Sequence, residues 1–177
     1  MRLRELQEKD MAGMLEWMTT PDIQQNFRFD AGKIDEKQVL DFIQNASTVV
    51  LEGKSIHYAI VDEDSDEYQG TVSLKEISTV NKNAEFAISL RKTAQGKGIA
   101  TKVIREILGL AFEEFDLERV YLNVFSDNIK AIRVYERCGF TLEGEFRNHI
   151  FSKGNYRSLK WYAMLKSEYN CYVNKRK

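Results

Sequence analysis

Cysteine, proline and histidine are all scarce in this chain of 177 residues, which has two, one and two of them respectively. Cys138 and Cys171 are too few for the disulfide framework of a small secreted fold, so a reducing, cytoplasmic setting is expected. The lone Pro21 leaves no stretch for a proline-rich linker and no reason to divide the chain. His57 and His149 share no metal-ligand spacing with each other or with the cysteines, so no metal is expected. Net charge is also missing, with 26 basic against 27 acidic side chains, which argues against a nucleic-acid partner. No apolar run approaches the ~20 residues that cross a bilayer, so no membrane partner is expected. The opening Met1-Arg2-Leu3-Arg4-Glu5 lacks the apolar stretch of a signal peptide. What is present, 43% hydrophobic residues, suffices for one domain with a substantial core.

Periodicity gives the elements. Residues 2–5 read as a short opening strand, and residues 10–19 carry Met11, Met14, Leu15 and Met18 at helical spacing. Residues 20–33 read as irregular. Asp35 is placed to cap a second helix striped by Val39, Leu40, Phe42 and Ile43. Strands are predicted over residues 57–61, 70–76 and 84–90, the first two joined as a hairpin by the acidic loop 62–67. A long helix to about residue 115, a strand over 120–125 and a helix from Asp127 or Asn128 to Gly139 follow. Strands near 141–147 and 159–165 close the pattern. The class is α+β, one domain over residues 1–168 with a C-terminal tail over 169–177.

The junction at residues 95–100, Gln-Gly-Lys-Gly-Ile-Ala, carries the functional signal. Before it, Ala84, Phe86, Ile88 and Leu90 share one face of a strand; after it, Ala100, Val103, Ile104 and Ile107 recur at helical spacing. Two glycines there let main-chain N–H groups converge at the positive end of a helix dipole, a seat for phosphate oxygens. A P-loop is excluded by spacing. A dinucleotide fingerprint lacks its third small residue where Thr101 stands, and Asp116 falls at a helix end, before the next strand. At this point a plain strand-to-helix turn stays open.

Gln95-x-x-Gly98-x-Ala100 resembles the acetyl-CoA signature of the GNAT family of N-acetyltransferases. Asn128-x-x-Ala131-x-x-x-Tyr135-x-x-x-Gly139-Phe140 resembles that family's second conserved region. Ala84-Glu85-Phe86 and Glu143-Gly144-Glu145 are most similar to its RimJ/RimL and spermidine N-acetyltransferase branch. Trp17 and Pro21-Asp22-Ile23 are similar to bacterial amino-sugar acetyltransferases. The resemblance implies the GNAT fold, a central mixed, mostly antiparallel twisted sheet flanked by helices. It implies acetyl-CoA as co-substrate, its diphosphate held by the amides of Gly96, Lys97, Gly98, Ile99 and Ala100 beside Gln95 and Thr101. Asn128 would orient cofactor or cap its helix. The strand before the loop is expected to be bulged and to splay from its neighbour at 120–124. That would offer main-chain groups at Ser89 and Leu90 to the pantetheine amides.

Acetyl transfer from a thioester needs a neutral amine, a stabilised oxyanion and a protonated leaving thiolate. Tyr135 matches the family's general-acid position; an ordinary tyrosine at ~10 can serve a thiol at ~8.5. Glu85 shares its strand face with Ala87 and Ser89 and is either the general base or a solvated surface glutamate. Residues 17–45 are expected to line the acceptor side, with Phe27, Arg28 and Phe29 touching substrate. The expected partner is a small-molecule amine: a polyamine, an amino sugar or an amino acid. A ribosomal-protein N-terminus is the alternative acceptor, and a non-catalytic acyl-CoA-binding regulatory domain the alternative class. Relatives often pair through sheets or helices, so a homo-oligomer is compatible with this reading.

Overall fold

A computed structural model describes residues 1–28 and 33–174. Strand β1 (Arg2–Arg4), helix α1 (Met11–Thr19), the short α2 (Pro21–Gln24) and α3 (Glu36–Asn45) come first. Strands β2 (Lys54–Val61), β3 (Tyr68–Ser78) and β4 (Asn83–Leu90) follow. Helix α4 (Ile99–Gly109) runs on into a π turn at Leu110–Glu114. Strand β5 (Arg119–Phe125), helix α5 (Ile129–Arg137), the hairpin β6 (Thr141–Ser152) and β7 (Asn155–Leu165), and helix α6 (Lys166–Asn174) complete the chain.

The strands form one open sheet in the order β1-β2-β3-β4-β5-β7-β6, antiparallel except for the parallel β4–β5 pair. Period-two alternation sends the two faces of each strand to different cores. Ile56 and Ile60 of β2 meet the α4 stripe of Val103, Ile104, Ile107 and Leu108, while Ala59 and Val61 meet Met14 and Trp17 of α1 and Val39 and Ile43 of α3. Helices α1–α3 therefore cover one face and α4–α6 the other. In the smaller core the Trp17 indole N–H donates to the Tyr68 hydroxyl at 2.9 Å, which lies 2.6 Å from Thr71 Oγ1. That chain satisfies three polar atoms that burial would otherwise penalise.

Local chemistry sets the ends. Asp35 Oδ1 accepts from the Gln38 amide and Gln38 Oε1 from the Asp35 amide, at 2.8 and 3.0 Å, a reciprocal capping box for α3. Thr20 is extended ahead of Pro21, which ends α1 and opens α2 inside the stretch expected to be irregular. The expected strands near 141–147 and 159–165 are parts of a longer hairpin that turns through Lys153 and Gly154, both at positive φ. The tail expected from residue 169 is instead helix α6 up to Asn174. Tyr169 is only 7% exposed in the main core, and its hydroxyl donates to Glu113 at 2.6 Å. Among the described residues no helix is long and apolar enough to cross a membrane.

Candidate active site

The parallel pairing of β4 and β5 runs only from Asn83↔Arg119 to Glu85↔Tyr121. Beyond that point β5 stays with β7 as far as Phe125↔Leu159, while β4 stays with β3 as far as Gly70↔Leu90. The sheet therefore splits between residues 86–90 and 122–125. The expected splay is present, but the expected bulge in β4 is not. Register slips instead in β3, between Lys75 and Ser78, where Glu76 has φ 50°. Gly70 keeps β3 and β4 together opposite the split, since any Cβ there would collide with the Ser89 carbonyl oxygen.

The strand's end feeds the glycine bend. Gln95 donates its side-chain amide to the Leu90 carbonyl at 3.2 Å, tying the bend back to β4. Gly96 and Gly98 have φ 77° and 76°, a region side chains avoid, and a Cβ on either would point into open space. Gly98 caps α4, and its carbonyl accepts from Lys102. Among the described residues no protein acceptor meets the amides of residues 96–101. A helix start leaves such donors without intrahelical partners, and water or an anion can satisfy them.

On one side of the split lies a cleft of about 510 Å³ walled by Arg28, Lys75, Glu85, Arg119, Tyr121 and Trp161. Strand register builds it, lining up Lys75, Glu85 and Tyr121 across β3, β4 and β5. Glu85 is 8% exposed, so it is no solvated surface glutamate. Its Oε1 receives Arg28 Nη2 at 3.0 Å, Asn123 Nδ2 at 3.1 Å and Lys75 Nζ at 3.2 Å. Tyr121 and Trp161 stack with ring centres 6.1 Å apart.

Tyr135 stands on the other side. Phe86, the neighbour of Glu85 on the opposite face of β4, meets the Tyr135 ring edge-on at 6.2 Å, and Phe140 meets it at 6.0 Å. Burial pushes the Tyr135 phenol up to about 12, so it keeps its proton through the neutral range. Thus the residues expected as acid and base flank the opening from opposite faces.

Asn128 caps α5 by accepting from the Ala131 amide at 3.2 Å, and it donates to Asn26 Oδ1 at 3.0 Å. Arg157 reaches the Gln25 carbonyl at 2.5 Å, sits over the Phe125 ring at 3.6 Å and pairs with Asp127. The segment after α2 is therefore strapped across the split from the β7 side, with Arg28 delivered to Glu85. Phe27 does not join the cleft. Its ring packs 5.3 Å from Trp17 in the smaller core, because an aromatic ring gains more by burial there. Phe29 lies outside the described residues. Lys75, Tyr121, Asn123 and Trp161 were missed. The signal for two of them was Tyr121 and Asn123 alternating with the buried Val120, Leu122 and Val124. Among the described residues no group of three or more His, Cys, Asp or Glu could hold a metal ion.

The mixed sheet thus opens beside a bend of unpartnered amides, with a phenol on one side and a carboxylate on the other. The chain belongs to the GNAT family: residues 1–141 match the model described as Acetyltransferase (GNAT) domain. It is 36% identical over 110 residues to spermidine N(1)-acetyltransferase of Vibrio cholerae serotype O1, covering 62% of this chain and 64% of that protein. The match thus spans under two thirds of that relative's length. The fold is similar to the crystal structure of spermidine N-acetyltransferase from Vibrio cholerae in complex with CoA and spermine. That likeness has TM-score 0.83 and 26% identity, over 96% of this chain and 97% of the other. RimL, a ribosomal alpha-N-protein acetyltransferase in complex with coenzyme A, shares the fold at TM-score 0.81, with 22% identity over 92% of each chain.

Proposed function

We propose that the protein is an acetyl-CoA-dependent N-acetyltransferase acting on the primary amine of a small metabolite: a polyamine, an amino sugar or an amino acid. The observation that carries this reading is the run of amides at 96–101 without a protein acceptor, set beside a split in the sheet. Residues 96–101 would hold the diphosphate, and the β4 edge at Ser89 and Leu90 would hold the pantetheine arm. The co-substrate supplies an acetyl group activated as a thioester. A cytoplasmic setting belongs to the same reading, on the scarcity of cysteine.

The chain's own residues do the rest. The amine enters from the cleft, where Oε2 of Glu85, which takes none of the three donors on Oε1, accepts its proton directly or through a water. Tyr135, from the opposite face, donates its O–H to the sulfur as negative charge develops there. Burial holds the proton on that phenol until charge develops on the leaving sulfur. The Asn128–Asn26 and Arg157–Gln25 bonds hold the cleft's outer wall in place while this happens.

The test is thiol release from acetyl-CoA with an amine panel. Tyr135→Phe should lower kcat about 10²-fold or more, the usual worth of a general acid, with CoA affinity unchanged. Unchanged kcat would remove Tyr135 from the reaction. Thermal stabilisation by ATP or NAD and none by CoA would replace the transferase reading with a nucleotide-binding one.

A further inference from the structure

The charge on the cleft wall bears on which amine enters. Arg28, Lys75 and Arg119 face Glu76 and Glu85 there. Arg119 is already held by Glu143, with Nη1 on Oε1 at 2.6 Å and Nη2 on Oε2 at 2.5 Å. Glu76 is exposed at the β3 irregularity and makes no ion pair among the described residues. Arg28 and Lys75 both pair with Glu85, and both use the same oxygen. A guanidinium has five N–H donors and an ammonium three. One shared carboxylate oxygen engages one donor of each. The Arg28 side chain is 40% exposed and that of Lys75 30%, so the remaining donors can meet a ligand. Next to them the indole N–H of Trp161 is buried without an acceptor.

Resting on the reading of this cleft as the acceptor site, we propose that the acceptor amine carries an anionic group, a carboxylate or a phosphate, which Arg28 and Lys75 hold. Charge-assisted hydrogen bonds to such a group are the strong ones, and a guanidinium takes it in bidentate fashion. The anion would sit on the Arg28–Lys75 side while the amine reaches the split beyond Glu85. A protonated polyamine offers no acceptor to the spare donors of Arg28 and Lys75.

The experiment is calorimetric titration of the CoA-saturated protein with matched probes, with acetyl transfer followed in parallel. Glucosamine 6-phosphate is compared with glucosamine, serine with ethanolamine, and spermidine serves as the polycation. In at least one pair the anionic member should bind tenfold or more tightly than its partner, and the pair that responds separates phosphate from carboxylate. Spermidine should bind more weakly than that anionic probe. Lys75→Glu should abolish the preference, and Arg28→Gln should reduce it severalfold. CoA binding serves as the check that each variant is folded. Equal binding within twofold in both pairs, or spermidine the tightest ligand, overturns the inference. Anion preference without acetyl transfer would refute the transferase reading and leave the anion site standing; transfer to spermidine without anion preference would do the reverse.

Discussion

Replacing Gly98 by alanine separates backbone strain from ligand contact, because Gly53 supplies a matched control. Both glycines have positive φ, 76° and 67°, and neither has any atom within 4 Å of where a Cβ would stand. An alanine in that left-handed region costs roughly 1–2 kcal/mol in either place. For a chain of this size each kcal/mol lowers Tm by about 2–4 °C, so both variants should lose a similar few degrees. They differ in what lies ahead of the new methyl. Gly53 precedes β2, and its amide donates to the Ile77 carbonyl at 2.7 Å, at the end of β3 far from the bend. Gly98 opens α4, and its Cβ would project into the space assigned to diphosphate oxygens. Gly98→Ala should therefore weaken CoA at least tenfold, about 1.4 kcal/mol, while Gly53→Ala leaves it unchanged. Differential scanning fluorimetry with and without CoA, followed by titration calorimetry, reads both quantities. A Gly98→Ala protein that binds CoA within twofold of wild type would refute the placement.

The raised phenol also fixes a pH profile. A group raised to about 12 stays protonated until pH nears that value, so kcat/KM should rise as the amine deprotonates and show no falling limb below about pH 10. A limb near pH 8–9 would mean that another group supplies the proton. Asp66 should contribute to acid stability, since it is lowered to about 2 first by the Lys9 hydrogen bond and then by Arg4. A carboxylate depressed in the folded state stabilises above the unfolded value near 4, and its contribution disappears as pH falls through about 2. Asp66→Asn should therefore lower Tm at pH 6 and lose its difference from wild type near pH 2; an equal deficit at both would show that charge is not the cause.

What could be read from the chain was local. The bend at residues 95–101 announces itself because a positive φ calls for glycine, and the helix after it repeats at 3.6 residues. Asp35 and Asn128 cap helices as their side chains imply. Glu85 could be placed on its strand face, but not given partners. Those come from Lys75 on β3, Asn123 on β5 and Arg28 ahead of α3, brought together only by register and by the strap over the split. Trp161 reaches the cleft because β7 pairs with β5 and sets it opposite Asn123. The β6–β7 hairpin was cut short because most of β6 is exposed and shows no apolar alternation; only Lys153-Gly154 marked its turn. Helix α6 hangs on Tyr169 and Val173 packing into the core, a tertiary gain that a tail-like composition does not reveal.

The proposed function requires the bend at residues 96–101 to grip the diphosphate of acetyl-CoA and direct its thioester into the split between β4 and β5. A crystal structure with bound CoA tests it most directly. Phosphate oxygens are expected on those amides, the pantetheine arm along Ser89 and Leu90, and sulfur within hydrogen-bonding reach of the Tyr135 hydroxyl. Diphosphate seated elsewhere, or a sulfur remote from that phenol, would contradict it.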